Sequence, residues 1–515
     1  MNCKNLPANL FLLFTLFFVT ANSQSTSLPR SAPEAQGVSS KEILDFIDAA
    51  NKSKTEFHSF MLLRHGKVVA EGWWNPYRAD LKHTLYSTSK SFTATAIGFA
   101  VTENKLTVND KVISFFPNEL PDSISPYLAR LTVKDVLSMS DGQDPDPTTI
   151  IPGRDSNWVR GFLSTPIVNE PGTKFLYNSM GTYMLSAIVQ KVTGEKMIDY
   201  LRPRLFEPLG ISGMDWETDP KGINTGGWGL RLKTEDMAKF GQLFLQKGSF
   251  GGKEIIPSSW VEEASSTKIM QDPNAPQSKK DSSDWLQGYC YQMWRCRNNA
   301  YRGDGAFGQY IIIMPEKDAV LAVTAETPDM QEEINLVWKY LLPAMKDNEL
   351  AEDKESASLL KKTLASLSVP APVKSAASPL EKNISGTTYS FEPNDKHIQS
   401  VSFQFSNNTC YATVKNDTAS FKIGFGSGKW QSGETTLHGP YLVERARRNL
   451  AGLDPFKIDG SYNWADDSTL NLTLRYIESP HTATLICHFD GNKLTSVNIR
   501  NSFDYGKKEL ILKGQ

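Results

Sequence analysis

The sequence has 515 residues, of which 40% are hydrophobic and 22% are charged. These proportions are those of an ordinary globular protein, and the length exceeds that of a usual single domain, so we expect two domains. The formal net charge of −2 gives no electrostatic reason to bind nucleic acid or an anionic membrane surface.

The N-terminal segment predicts secretion. A lysine is followed by an apolar run over residues 10–20, which ends in the small-residue pattern "ANS". This arrangement is typical of a cleaved signal peptide at residues 1–23, and it is too short and wrongly flanked for a membrane anchor. We therefore expect a secreted or periplasmic protein that begins near Gln24 and has no membrane span.

Residues 24–347 mix helical and strand patterns. The segment 60–72 predicts two short strands around a turn, 89–106 a buried helix, 234–248 an amphipathic helix and 308–326 two further strands. Because strands lie at both ends of this region with helices between them, we expect an α/β (α+β) domain. Its first and last strands should share one antiparallel sheet.

The pattern changes towards the C-terminus. Residues 348–380 start as a charged helix and continue as a segment rich in Pro, Ala and Ser, which predicts a linker. From residue 381 to residue 515, segments such as "SVSFQF" and "TLNLTLRYI" alternate with a period of two. We therefore expect a C-terminal all-β domain at 381–515.

Four of the five cysteines lie beyond the signal segment. Cys290 and Cys296 belong to "CYQMWRC", which reads as a strand and would separate them by about 20 Å, too far for a disulfide. We expect both as small buried residues. The sequence leaves open whether Cys410 and Cys487 pair across the C-terminal sheet.

The stretch "YSTSKSF" contains a candidate nucleophile. Ser87 and Lys90 lie three residues apart, nearly one helical turn, so the lysine amine can reach the serine hydroxyl. A serine needs a neighbouring base to become nucleophilic, and a buried neutral amine can serve. The same serine–lysine spacing occurs at Ser265 and Lys268 and at Ser358 and Lys361, in polar stretches where we expect surface residues. The local pattern alone does not distinguish an activated nucleophile from two polar residues on one helix face.

Two other chemistries fit poorly. A Ser-His-Asp hydrolase needs a histidine, but those of this region all precede Ser87, and no G-x-S-x-G motif occurs. "GDGAFG" (303–308) matches G-x-G-x-x-G, yet a strand pattern follows it where a dinucleotide-binding fold needs a helix. No Cys or His spacing resembles a metal site. We therefore expect no cofactor and no metal.

Several segments in order carry a family resemblance. They are "YSTSKSF", "LTVKDVLSMSDG", "EPGTKFLYNSMGTYMLSAIVQKVTG", "GWGLRLKTEDMAKFGQLFL" and "GAFGQYIIIMPEKDAVLAVT". Through them, residues 30–345 resemble the serine β-lactamase-like superfamily, in its class C β-lactamase and penicillin-binding-protein branch. Within it the chain looks most similar to the 6-aminohexanoate-dimer hydrolase and esterase-like group. The resemblance implies a β-lactamase/transpeptidase-like fold, an antiparallel sheet with helices and an all-helical subdomain.

The resemblance also implies catalytic roles. Ser87 matches the acylated serine, and Lys90 matches its lysine. Tyr177 matches the tyrosine that moves protons to and from the serine and the leaving group. The backbone N–H groups of Ser87 and Ala306 would form the oxyanion hole.

Four further positions match substrate-binding elements. Ser179 takes the third position of the tyrosine motif, where many relatives have asparagine. "GDGA" matches the Lys-Thr-Gly or His-x-Gly motif, with Gly303 where a lysine or histidine is common, Asp304 after it, and Gly305 where the substrate lies close. The cation that would meet a β-lactam carboxylate is absent from these positions, which puts β-lactam and D-alanyl-D-alanine specificity in doubt.

We therefore expect a secreted serine hydrolase that cleaves an ester or amide bond of a small-molecule substrate through a Ser87 acyl-enzyme. One alternative is a D-amino-acid peptidase or weak β-lactamase acting on peptidoglycan-like substrates. Another is a non-catalytic binding protein that retains the fold. The presence of Ser87, Lys90 and Tyr177 together argues against the binding protein.

Overall fold

The computed structural model describes residues 27–514 except residues 376, 448–452 and 454. The predicted signal peptide at residues 1–23 lies outside the described residues. None of the helices in the described part of the chain is both long and apolar enough to cross a membrane.

An antiparallel sheet of six strands forms the centre of the N-terminal region, in the order β2-β1-β11-β10-β9-β8. The strands of this region are β1 (Glu56–Arg64), β2 (Lys67–Trp73), β3 (His83–Thr84), β4 (Asp215–Trp216), β5 (Leu230–Leu232), β6 (Ser249–Phe250), β7 (Lys253–Glu254), β8 (Trp294–Arg295), β9 (Tyr301–Gly305), β10 (Gln309–Met314) and β11 (Ala319–Glu326). Strand β1 pairs with β11 from Glu56 opposite Glu326 to Arg64 opposite Ala319. The predicted sheet, with its first and last strands adjacent, is therefore confirmed.

Helices cover both faces of this sheet. They are α1 (Ser40–Lys52), α2 (Ser89–Thr102), α3 (Pro126–Arg130), α4 (Val133–Leu137), α5 (Ile151–Arg154), α6 (Trp158–Ser164), α7 (Ser179–Thr193), α8 (Met197–Leu201), α9 (Thr234–Leu245), α10 (Ser258–Ser265), α11 (Gln277–Lys280), α12 (Met330–Leu336), α13 (Leu342–Ala344) and α14 (Lys354–Ala365). Strand β1 shows how the two layers form: Met61 and Leu63 enter the core with α2, α7 and α9, whereas Phe60 and Leu62 enter the core with α1. Alternate residues of one strand thus supply both cores.

The C-terminal region is a separate curled sheet of ten strands. Its elements are α15 (Leu380–Ile384), β12 (Thr388–Ser390), β13 (Ile398–Ser406), β14 (Thr409–Asn416), β15 (Ser420–Ser427), β16 (Gln431–Thr435), α16 (Glu444–Arg447), β17 (Phe456–Asp466), β18 (Thr469–Tyr476), β19 (Thr482–Asp490), β20 (Lys493–Asn501) and β21 (Leu510–Lys513). A bridge between Phe391 and Gly514 joins the two ends of the sheet. The prediction of a β-rich C-terminal part is confirmed.

Charged side chains connect the two regions. Arg475 on β18 forms an ion pair with Glu56 at the start of β1. Glu478, in the turn after β18, pairs with Arg231 at 3.3 Å, and its carbonyl accepts a bond from the backbone N–H of Thr84. The C-terminal sheet therefore contacts the N-terminal region through strands β1, β3 and β5.

The segment predicted as a linker begins with a docked helix. Helix α14 packs on α1, and Leu360 and Leu367 belong to the same core as α1. The boundaries 24–347, 348–380 and 381–515 stay predictions.

The cysteines differ in part from expectation. Only Trp294–Arg295 of "CYQMWRC" forms a strand, and Cys290 precedes it in a loop. Cys290 and Cys296 are buried free thiols, as predicted. Cys410 and Cys487 are also free and buried, which resolves the alternative that the sequence left open.

Candidate active site

Ser87 lies in a single 3-10 turn, Tyr86–Thr88, that runs directly into α2. It is half-buried, whereas every α2 residue from Ser89 to Ala100 is buried. The N-terminal end of α2 carries the positive end of its dipole, which favours negative charge on an oxygen at this turn. The fold therefore exposes one hydroxyl at the start of a buried helix.

Lys90 points its amine back to that hydroxyl. Nζ lies 2.9 Å from Ser87 Oγ, 3.0 Å from Ser179 Oγ and 2.6 Å from the carbonyl oxygen of Gly227. One turn of α2 brings Ser87 and Lys90 together, as the spacing predicted. Because Ser179 is the first residue of α7, the contact also joins α2 to the all-helical part of the region.

Burial controls the charge of this amine. Lys90 is 1% exposed, and burial lowers the pKa of its ammonium group from 10.5 to about 7. The carboxylates of Asp146 and Asp304 oppose this shift, but they do not cancel it. A large share of the amine is therefore neutral at neutral pH, and a neutral amine can accept the proton of the Ser87 hydroxyl.

Tyr177 completes the group around the hydroxyl. Lys90 Nζ lies 4.9 Å from the centre of the Tyr177 ring. Burial raises the pKa of the Tyr177 phenol above its usual value, although a hydrogen bond with Ser87 acts in the opposite direction. The phenol therefore keeps its proton at neutral pH and can donate a hydrogen bond in the site.

Tyr177 belongs to an aromatic cluster. The cluster consists of Phe175, Tyr177, Trp285, Tyr289 and Trp294. The Tyr177 and Trp294 rings stack with centroids 5.8 Å apart, and Phe175 lies 5.5 Å from Trp294. Three of these rings keep part of their surface exposed, so the cluster offers an apolar surface beside the hydroxyl.

Glycines bring β9 close to the serine turn. A Cβ atom at Gly305 would lie 2.2 Å from the carbonyl oxygen of Leu85 and 2.9 Å from Thr88 Oγ1. The Thr88 hydroxyl also donates to the carbonyl of Gln309 on β10 at 2.6 Å. Only glycine permits this approach, which brings the end of β9, and Ala306 after it, beside the Ser87 turn.

The two preceding residues of β9 point in opposite directions. A Cβ atom at Gly303 would face α2, 3.0 Å from Ser91 Oγ. Asp304 points to the other face, where the guanidinium of Arg302 donates to it at 2.8 Å. Burial raises the pKa of Asp304, and Arg302 opposes that rise.

Two arginines, Arg295 and Arg302, lie on or next to β9 and could supply a cation to the site. Arg302 is fully buried, pairs with Asp304 and lies 4.4 Å over the ring of Trp285. Arg295 turns to the side chain of Asn299, at 2.6 Å. Both guanidinium groups therefore already have partners within the protein.

Two residues near the Lys90 amine, Gly227 and Asp146, were not predicted from the sequence. The carbonyl of Gly227 is the shortest contact of Lys90, and a Cβ atom at this position would lie 2.6 Å from the carbonyl of Ser179. The glycine-rich stretch "GGWG" was the available signal. Asp146 acts on Lys90 through charge alone, and its loop carries no pattern that indicates this.

A family model described as "Beta-lactamase" matches residues 53–342, more than half of the chain. The chain belongs to the Beta-lactamase family. The 6-aminohexanoate-dimer hydrolase of Paenarthrobacter ureafaciens is 27% identical to it over 293 residues, which cover 53% of this chain and 73% of the relative. The predicted family and fold class are therefore confirmed.

Solved structures with similar folds include an octameric penicillin-binding protein homologue from Pyrococcus abyssi, at 16% identity and a TM-score of 0.47, which covers 92% of this chain and 99% of that one. Another is EstCE1, a hydrolase with promiscuous acyltransferase activity, at 15% identity and a TM-score of 0.49, which covers 61% of this chain and 99% of that one.

The buried pair of Arg302 and Asp304 yields a stability prediction. Changing Arg302 to Met should lower the free energy of unfolding by about 3–5 kcal/mol, because the Asp304 carboxylate would lose its partner in a buried place. Arg295→Met is the matched control and should cost at most about 1 kcal/mol, because Arg295 is only partly buried. Urea denaturation of the purified variants measures both values.

Adding Asp304→Asn to Arg302→Met should recover part of the loss, because the unpaired charge is then removed. Equal effects of Arg302→Met and Arg295→Met would contradict the interpretation.

Proposed function

We propose that this chain is a secreted serine hydrolase that cleaves an ester or amide bond through an acyl-enzyme on Ser87. The observation that carries the proposal is the buried Lys90 amine 2.9 Å from Ser87 Oγ, with its pKa lowered to about 7. A base of this strength next to a hydroxyl is what nucleophilic catalysis by serine requires. Secretion is supported by the N-terminal sequence pattern.

The first half of the proposed reaction forms the acyl-enzyme. Ser87 Oγ attacks the substrate carbonyl while its proton passes to Lys90 Nζ. The backbone N–H groups of Ser87 and Ala306 hold the negative oxygen of the tetrahedral intermediate, an electrostatic contribution that is usually large. When the intermediate collapses, Tyr177 hands a proton to the leaving alcohol or amine and is reprotonated from Lys90.

The second half releases the product. Water attacks the acyl carbonyl and gives its proton to Lys90 Nζ. When the second intermediate collapses, the bond from the carbonyl carbon to Ser87 Oγ breaks, and Ser87 Oγ takes that proton back from Lys90. Ser179 lies 3.0 Å from Lys90 Nζ and keeps the amine aimed at the serine throughout. The two steps together yield a carboxylic acid and an alcohol or amine, and they regenerate the free serine.

The surroundings of the serine favour uncharged substrates. Gly303 has no side chain, and the neighbouring Asp304 turns to the other face of β9, where its carboxylate pairs with the buried guanidinium of Arg302. A substrate carboxylate beside Gly303 would find no free cation on β9, and an unpaired charge is costly in a buried site. The aromatic cluster beside Tyr177 would instead bind apolar or aromatic groups. This supports simple esters and amides over β-lactams and D-alanyl peptides.

Replacing the nucleophile tests the proposal. Ser87→Ala should lower the hydrolysis rate of a p-nitrophenyl ester at least about 10³-fold with the fold intact, because the other groups cannot replace the missing oxygen. Ser265→Ala and Ser358→Ala are the matched controls, since each serine is also followed by a lysine three residues later, and they should retain full activity. An active Ser87→Ala enzyme would exclude the assignment.

The pH dependence tests the role of Lys90. If the neutral amine is the base, kcat/KM for an uncharged ester should rise between about pH 6 and 8 and then level off, because the pKa of Lys90 is about 7. Tyr177, whose pKa is raised, should not titrate in this window. A rate that stays constant from acid to alkaline pH would contradict the assignment.

Lys90→Arg supplies the control for that profile. A guanidinium keeps its proton throughout this range, so the variant should lose at least about 10²-fold in rate and show no rising limb.

Substrate preference is tested by comparing kcat/KM for p-nitrophenyl butyrate and a chromogenic cephalosporin. The ester should be the better substrate, and Asp304→Asn should shift the ratio towards the cephalosporin because it removes the carboxylate that neutralises the nearby Arg302 cation. Asp45→Asn, on the exposed surface of α1, is the charge-matched control and should leave the ratio unchanged. Efficient cephalosporin hydrolysis by the unmodified enzyme would refute the argument.

A further inference from the structure

His481, in the turn between β18 and β19, is fully buried against the N-terminal region. Its Nε2 lies 2.6 Å from the hydroxyl of Tyr86, and its Nδ1 lies 2.7 Å from Glu326 Oε1. The hydroxyl of Ser502 donates to the same carboxylate oxygen at 2.8 Å. Because an ionised carboxylate only accepts, Nδ1 carries the proton, and the Nε2 of a neutral ring then accepts from Tyr86.

The same imidazole packs on a second segment of the site. The ring of Phe307 meets it edge-on with centroids 4.8 Å apart, and the rings of Tyr86 and Phe307 lie 5.6 Å from each other. Tyr86 immediately precedes Ser87, and Phe307 immediately follows Ala306. One side chain of the C-terminal sheet therefore contacts both residues that flank the proposed oxyanion-hole N–H groups.

The backbone at these two flanking residues is strained. Tyr86 has φ of 46° and Phe307 has φ of 67°, in the left-handed region that bulky side chains rarely adopt. Such conformations persist only where surrounding contacts hold them. The stacking of Tyr441 on Tyr86, at 5.2 Å, adds a second contact from the C-terminal region to the same residue.

We propose that the C-terminal sheet completes the active site, with His481 as a positioning residue that holds Tyr86 and Phe307 and thereby the N–H groups of Ser87 and Ala306. This inference rests on the proposed function, because it assigns a purpose to the oxyanion hole of that reaction. The hole works only if both donors already point at the position of the developing oxyanion. His481 acts on the backbone through its neighbours and does not touch the reacting atoms.

Two tyrosines at the same interface provide a matched pair of variants. Tyr86 and Tyr77 are both buried, and each hydroxyl makes two bonds across the interface. Tyr86 bonds to His481 and accepts from the N–H of Leu442, and Tyr77 donates to the carbonyl of Ser479 and accepts from the guanidinium of Arg475. Changing either to Phe removes one interfacial hydroxyl and keeps the ring. Only Tyr86 adjoins the nucleophile, so only Tyr86→Phe should disturb the hole.

The test measures kcat and KM of the full chain with p-nitrophenyl butyrate, together with the thermal unfolding midpoint. Tyr86→Phe and His481→Ala should lower kcat by about 10- to 100-fold and change KM by less than about 3-fold, because a small displacement of the donors weakens transition-state binding selectively. His481→Gln should restore part of the loss, since its amide can bond to both Tyr86 and Glu326. Tyr77→Phe should keep kcat while its unfolding midpoint falls about as much as that of Tyr86→Phe.

A kcat of Tyr86→Phe equal to that of Tyr77→Phe would overturn the inference, and so would a loss confined to KM. A fluorophosphonate probe separates this failure from failure of the proposed function. If the unmodified enzyme neither hydrolyses the ester nor gains the mass of the probe on Ser87, both proposals fall. If it does both and Tyr86→Phe reacts at the unmodified rate, only the inference about His481 falls.

Discussion

The burial of the Lys90 amine among neutral hydrogen-bond partners is the constraint on which the rest of the site depends. Its three contacts are two hydroxyl groups and one carbonyl, and none of them compensates a full positive charge as a carboxylate would. The shift of its pKa from 10.5 to about 7 corresponds to about 5 kcal/mol against the charged form. A direct ion pair would remove most of this cost and would also keep the amine protonated, so that it could not accept the Ser87 proton. Asp146 and Asp304 therefore act only from a distance.

To bury the Lys90 amine, several chain segments must lie close to one another around it. Two glycines, Gly227 and Gly305, allow this close approach. Gly227 offers its carbonyl to Lys90 while its Cα lies against the backbone of Ser179, and Gly305 lies against the backbone of Leu85. A Cβ atom at either position would lie within 2.6 Å of a carbonyl oxygen, so a side chain there would force the two segments apart. The pocket around the amine is thus defined by backbone as much as by functional groups.

The sequence could predict what depends on spacing and alternation. The three-residue spacing of Ser87 and Lys90 predicted their contact, and the strand patterns predicted the central sheet. Tyr177 and Gly305 were identified as site residues only through the family resemblance. The pairing of Arg302 with Asp304 was also within reach, because residues two apart in a strand share a face. The role of the Gly227 carbonyl could not be predicted, because every residue has a backbone carbonyl. The contact of Tyr86 with His481 could not be predicted either, because the two residues lie 395 positions apart in the sequence.

The match to the family ends at residue 342, yet the environment of the nucleophile extends to His481. Glycine at positions 86 and 307 would relieve the strain, but it would provide no ring for the C-terminal sheet to contact. Aromatic residues at these positions keep the unfavourable backbone, and the contacts that hold them include those from His481 and Tyr441 of the C-terminal region. On the proposal made above, docking of the C-terminal sheet and alignment of the Ser87 turn would be coupled. In the proposed reaction, the sheet would contribute by holding the backbone of the Ser87 turn and of the segment around Ala306.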